Sequence, residues 1–439
     1  MTTNNHTIRE HADTPRAASR VGRWLLVIAA IPLGAAGAIV ALLATIAVTG
    51  SRALAAFAGT LAVVLVAGSF SWLAARSGLR DPKAHRWLAV AVSAVTLTLV
   101  VATIGALVFA PAPSYTPIVE TDATQYWELP TGSRIAYTHT PAQGAPRATP
   151  VILVHGGPGA PEGGLELVKE TLADAGFDVY SYHQVGAGLS ERLEDVTDYT
   201  VARHVADLEA IRETIGAEHM VLVGESWGGT LIAHYLAAYS DHVARAVVSS
   251  PGPIWAPAFA NGLTASARRD QNAVIGQLPR FMLVYVLLGT IGPQAAHALL
   301  PDEQMDGVFE ELVGRLDLWS GCTTKQHPNG QEVRDAQAGV GFWVNAMTGL
   351  DAQHVGDPRP ALRSVSTPVL VLRSECDYRA WEATREYRNI LPNAVMLTVE
   401  DAGHVIPMDR PELYRETVLA FLLEQPLPRE PYTGAEAPW

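Results

Sequence analysis

Three segments carry the residue types that nucleophilic hydrolysis needs: a serine between glycines, a downstream histidine and a carboxylate between them. Gly224-Glu225-Ser226-Trp227-Gly228 fits G-x-S-x-G, between an expected strand from Met220 to Val223 and an expected helix from Thr230 to Tyr239. In that context the serine sits on a strained turn, flanking glycines let backbone pass close, and Oγ projects above a sheet at a helix N-terminus. His155-Gly156-Gly157-Pro158-Gly159 follows an expected strand from Val151 to Val154. Such a loop supplies one N–H to a developing oxyanion, here assigned to Gly157, and the residue after the nucleophile, Trp227, supplies the other. Each fixed donor is worth about 3 kcal/mol. No Lys-Ser/Thr pair ends the glycine run, which sets aside a phosphate-binding loop.

The general base is expected at His404, just after the last expected strand, Val395 to Val399. Most of the chain's 14 histidines have no such position at a strand end. The acid is expected after the preceding strand, because the chain order is serine, acid, histidine. There, Val369 to Leu372 leads into Arg373-Ser374-Glu375-Cys376-Asp377, with Asp377 the first choice and Glu375 the second. The carboxylate would fix the imidazole tautomer and stabilise the imidazolium. No His/Cys cluster at metal spacing and no cofactor signature accompanies these residues, so no metal and no cofactor is expected.

The elements that must position these residues alternate. Gln125 to Leu129 and Arg134 to His139 read as a hairpin around Thr131-Gly132. Strands are expected at Val179 to Tyr182 and Ala246 to Val248, and helices at Leu165 to Ala175, Val201 to Ile215 and Pro411 to Leu423. Strands alternating with helices imply an α/β class with a mainly parallel sheet. A helical block from about 254 to 357 interrupts the rhythm and reads as a cap on a domain spanning 114–425. Within it, Phe281 to Ile291 is very apolar; the expectation is a core helix of the cap, the competing reading a face resting on lipid. Residues 426–439, with four prolines, are expected to be irregular.

Residues 1–113 differ in kind. Three uncharged stretches, at about 24–50, 53–75 and 87–110, each exceed the ~20 residues a helix needs to cross a bilayer. Arg16, Arg20 and Arg23 precede the first, and Arg76, Arg80, Lys83 and Arg86 separate the second from the third. The bias of basic residues towards the cytoplasm puts the N-terminus inside and everything after the third crossing outside a plasma membrane. Up to Pro113 there are 9 basic and 3 acidic residues, a net of +6; the remaining 22 and 41 give −19. A basic, apolar head on an acidic body implies the lipid bilayer as a partner and excludes nucleic acid. Two cysteines, Cys322 and Cys376, pair or stay as thiols; sequence leaves both open.

Together these segments resemble the α/β-hydrolase superfamily, and within it the proline iminopeptidase-like group. The likeness rests on HGGPG at 155–159, GESWGG at 224–229 and AGH at 402–404. His183-Gln184-Val185-Gly186-Ala187-Gly188-Leu189-Ser190 is similar to the group's D-Q-x-G-x-G-x-S, with His183 for Asp; Ser374-Glu375-Cys376-Asp377 departs from its G-R-x-D. The resemblance implies an α/β-hydrolase fold with a helical cap, the triad Ser226, His404 and Asp377, and removal of N-terminal residues, proline especially, from peptides. It also implies cap acids for the substrate's amine, for which Glu303, Asp306, Glu310 and Glu311 are available, with Glu303, Glu310 and Gly156 taken as substrate contacts. A small or acyl ester is the alternative substrate, since the same triad serves both; a silent membrane sensor on the same fold is the non-enzymatic alternative.

Overall fold

The computed structural model describes residues 15–76, 81–108, 115–161, 163–259, 282–315 and 338–439. The apolar stretches near the N-terminus form helices α1 (Pro15–Thr49), α2 (Arg52–Arg76) and α3 (Pro82–Val108). Each holds a segment long and apolar enough to cross a membrane: Val21–Thr49, Ala53–Arg76 and Pro82–Ala106. α1 and α3 start upstream of the expected spans, because polar and basic residues continue the turns beyond the apolar stretch; positions 109 and 110 lie outside the described residues. Alanines and valines fill the contacts, with Ala30, Ala38, Val63, Ala67, Val92 and Val100 buried. A Cβ on Gly34 would lie 2.7 Å from that of Ala67. Large apolar side chains such as Leu25, Phe57 and Val101 face outwards. Close packing of small residues is how helices associate where the surroundings are as apolar as leucine.

The following chain builds an eight-stranded sheet in the order β1-β2-β4-β3-β5-β6-β7-β8. Its first half comprises β1 (Gln125–Glu128), β2 (Arg134–Thr140), β3 (Val151–Val154), α4 (Lys169–Asp174), β4 (Val179–Tyr182), α5 (Val201–Ile215), β5 (Met220–Glu225), α6 (Trp227–Tyr239) and β6 (Val243–Ser249). β1 and β2 form the expected hairpin and β2 meets β4 antiparallel; all later pairings are parallel. β3 and β5 are buried along their whole length, as strands covered on both faces must be. The expected helix from Leu165 begins as a 3₁₀ turn, Gly164–Val168, before α4. The ends of α5 follow from its sequence: the Thr200 side chain accepts from Arg203 N, and Gly216 at φ +75° closes it.

Next come α7 (Met282–Leu288), α8 (Pro293–Leu299), α9 (Asp302–Arg315), α10 (Phe342–Asp351) and α11 (Arg359–Leu362). β7 (Val369–Ser374), α12 (Trp381–Ile390), β8 (Ala394–Val399), α13 (Ile406–Asp409) and α14 (Pro411–Leu422) complete the described elements. This is the α/β-hydrolase fold. Two compact units result: Met1–Pro111 with Arg280–Leu300, and Ala112–Pro279 with Pro301–Trp439. The expected cap therefore divides. α7 and α8 cluster with the N-terminal helices, where a Cβ on Gly292 would lie 3.5 Å from that of Ala47, whereas a core helix of the cap was expected over this stretch; position 281 lies outside the described residues. The exposure of Val286 (68%) and Ile291 (78%) departs from what a core helix would show. Residues 426–439 hold no helix or strand but are tied down, Tyr432 N donating to Met396 O at 2.7 Å.

Asp207 of α5 secures the hairpin turn. Its buried carboxylate accepts from Thr131 Oγ1 (2.5 Å) and Ser133 Oγ (2.8 Å) and lies 3.4 Å from Arg203 Nε. Asp207→Ala leaves these donors unmatched, with an expected cost of about 2–4 kcal/mol. A lowered midpoint in thermal or urea unfolding of the detergent-solubilised protein checks this; an unchanged midpoint refutes it.

Candidate active site

β3, β5, β7 and β8 run parallel in one sheet, so the loops after their carboxyl ends gather at one edge, where open α/β sheets place their sites. Those loops carry residues 155–159, Ser226, residues 375–377 and His404. β5 lies between β3 and β6, with Val154 opposite Gly224 and Glu225 opposite Ser249.

Ser226 adopts φ 54°, ψ −118°, a conformation side chains avoid and one that costs about 1–3 kcal/mol. Three backbone bonds hold it: Ser226 N donates to Ser249 O (3.0 Å), and its carbonyl accepts from Gly229 N (3.0 Å) and Gly252 N (2.8 Å). α6 starts at the next residue, Trp227, earlier than the expected Thr230. The flanking glycines are required sterically. A Cβ on Gly224 would come 2.8 Å from the carbonyl carbon of Gly228, and one on Gly228 would come 2.0 Å from Val154 O.

The 155–159 loop faces the serine, a Cβ on Gly156 falling 3.1 Å from Ser226 Cβ. Gly157 has φ +111°, which favours glycine. His155 fixes the loop from behind. Its Nε2 accepts from Gln184 N (2.8 Å), so the ring proton is on Nδ1 and donates to Gly156 O (2.9 Å). Burial pushes the His155 pKa down to about 3, so it stays neutral in this role. From the far side, Asn345 Nδ2 donates to Pro158 O and Gly341 N to Gly159 O.

His404 Nδ1 lies 2.7 Å from Asp377 Oδ1. Arg379 N donates to the same oxygen (3.0 Å) and Arg373 Nη1 to Oδ2 (3.0 Å). Burial by itself raises the Asp377 pKa; the charges of His404 and Arg373 outweigh it and hold the carboxyl below its usual range. Glu375 is turned elsewhere, accepting from Asp401 N at 3.0 Å, so of the two candidate acids only Asp377 meets the histidine. The Tyr378 ring packs against that of His404, centroids 4.2 Å apart. Cys376 is disulfide-bonded; Cys322 lies outside the described residues.

A cavity of about 560 Å³ opens at Ser226, lined by Gly156, Gly157, Glu225, Trp227, Phe259 and Phe309 among others. Glu303 and Glu310, expected at the substrate, do not line it. Glu303 is exposed, and Glu310 accepts from Thr116 N (2.7 Å) and Oγ1 (2.6 Å). The inner face of α9 instead presents Phe309, Leu312 and Val313 to the cavity and buries Asp306 against Arg192 (2.9 Å). Three residues at the site carried no expected role: Arg373, Tyr378 and Glu225. A charged residue within the last two positions of a strand that opens apolar was the available signal for Arg373 and Glu225.

Gly228→Ala forces α6 away from Val154 O. Expected are a loss of stability of about 1–3 kcal/mol or more and reduced labelling of Ser226 by a fluorophosphonate probe. Wild-type labelling in this variant would contradict the packing described.

Residues 149–411 match the α/β hydrolase fold family. Over 313 residues the chain is 34% identical to a proline iminopeptidase of Lactobacillus delbrueckii subsp. lactis, covering 68% of this chain and 97% of the relative. It is 26% identical over 302 residues to a proline iminopeptidase of Heyndrickxia coagulans, covering 66% and 96%. Among solved structures, an esterase from a Rhodococcus species superposes with a TM-score of 0.52 at 20% identity, covering 69% of this chain and all (100%) of that one.

Proposed function

The chain belongs to the α/β hydrolase fold family, with proline iminopeptidases among its relatives, and we propose that it is a membrane-anchored serine hydrolase releasing N-terminal residues, proline foremost, from peptides. The observation that carries this is the buried His404–Asp377 pair at the same sheet edge as the strained Ser226. Ser226 Oγ attacks the carbonyl carbon of the substrate's first residue while His404 Nε2 takes the hydroxyl proton. The N–H groups of Gly157 and Trp227 hold the oxyanion. His404 returns the proton to the leaving amine, leaving an ester on Ser226. Water, deprotonated by His404, then frees the amino acid and restores the serine. Asp377, ionised and gripped by Arg373, keeps the imidazole proton on Nδ1 and balances the imidazolium.

Proline 4-nitroanilide is the expected substrate, and Ser226→Ala and Asp377→Asn should each lower kcat by about 10⁴-fold or more. Turnover of acyl esters with none of the anilide would overturn the peptidase assignment and leave an esterase; no fluorophosphonate labelling of Ser226 would leave a sensor.

α1–α3 serve as the anchor, with the N-terminus cytoplasmic and the hydrolase domain outside. Supporting this are the clustered basic residues before α1 and between α2 and α3, and the disulfide at Cys376, a bond that persists in oxidising compartments. Exposed Val286 and Ile291, in the same unit as those helices, then meet lipid. In intact cells with a permeable outer envelope, added protease should digest the hydrolase domain; complete protection would reverse the orientation.

A further inference from the structure

We propose that Glu225 is the acceptor for the substrate's charged amine, a specificity-determining carboxylate set in the nucleophile's own turn. This rests on the serine-hydrolase assignment of the cavity and adds the seat of the amine.

Glu225 ends β5 immediately before Ser226; it is 3% exposed and lines the same cavity. Its Oε2 is buried without a hydrogen-bond partner. Gly163 leaves room beside it, the nearest atom to an added Cβ there being Glu225 Oε1 at 3.8 Å. Other buried or half-buried acids near the cavity have counter-charges. Glu166 has Lys169 at 2.7 Å, Asp306 has Arg192 at 2.9 Å, and Asp377 has Arg373 at 3.0 Å. Among the described residues, no cation pairs with Glu225. Burial, and then the nearby charge of Asp377, push its carboxyl up to about 8. A buried carboxyl with no counter-ion and an unpartnered oxygen is costly, which points to a ligand that supplies the missing charge. An ammonium group at Oε2 would draw the pKa back down and be held strongly where water is scarce.

Substrate geometry sharpens the assignment. In an N-terminal residue only Cα separates the amine from the scissile carbonyl carbon, so an amine acceptor must stand beside the nucleophile. Glu225, which lines the same cavity as Ser226, meets that condition; Glu303 and Glu310 do not line it. Chain extending beyond the first residue would run into the buried carboxyl, which favours an exopeptidase.

The test compares proline with N-acetylproline, each as the 4-nitroanilide and the methyl ester, on wild type and Glu225→Gln. Expected is a rise in KM of about tenfold or more for the free-amine members only, with kcat and the acetylated members within about threefold. Equal losses on free-amine and acetylated substrates, or no loss on either, would overturn the proposal. The ester pair separates the two ideas: wild type that cleaves both esters but neither anilide ends the peptidase reading, while its free-amine preference still decides Glu225. Should the variant fail to fold, wild type alone decides. Pyrrolidine should inhibit ester hydrolysis at lower concentration than neutral N-acetylpyrrolidine, and equal inhibition would overturn the proposal.

Discussion

The approach of the first turn of α6 to the end of β3 sets the rest of the site. With only a hydrogen at Gly228, Val154 O comes to a position that would be 2.0 Å from a Cβ. That contact pulls the helix start against the strand, which leaves the chain between β5 and α6 too short to turn without strain. The strain falls on Ser226, at φ 54°, and three backbone hydrogen bonds resist its relaxation. The same approach brings Gly156 beside the serine. Ser226, the 155–159 loop and the start of α6 are thus one packing solution.

Around that point the protein manages buried charge residue by residue. Asp377 sits between a histidine, an arginine and a backbone N–H, and its carboxyl is held low despite burial. Asp306, with one arginine and one backbone N–H, is still pushed up to about 6 by burial. Glu225, with no cation, goes to about 8. The order tracks the number and closeness of compensating groups, as expected where the local dielectric is low. A group at the uncompensated end of such a series, lining the same cavity as Ser226, is poised to respond to what enters it.

The sheet and the triad candidates were readable because each depends on local pattern. β3, β5 and β7 open on apolar runs, and Ser226, Asp377 and His404 follow β5, β7 and β8 in the expected order. Asp377 was preferred over Glu375 in sequence, but both lie in one loop and only three-dimensional placement turns Glu375 to Asp401 N. Glu303 and Glu310 misled for a related reason. Acids spaced along a helix say nothing of which face points inwards, and α9 gives its inner face to Asp306 and the apolar residues that follow. Glu225 stood within the quoted motif, yet a variable position inside a motif carries no expectation until its burial is known.

The apolar stretch at 281–291 marks the limit of hydrophobicity as a signal. A helix buried in protein and a helix facing lipid are both apolar all round, so periodicity alone does not separate them. What separates them is where the small residues lie. In α1–α3, alanines and valines occupy the buried contacts while many leucines, with Phe57 and further valines, face outwards, the reverse of a bundle folded in water. Val286 and Ile291 follow that reversed rule within the same unit. The chain thus uses two opposite definitions of inside. One is enforced by water around an acidic domain; the other suits hydrocarbon around an apolar bundle, and the division between them runs through the segment expected to be a single cap.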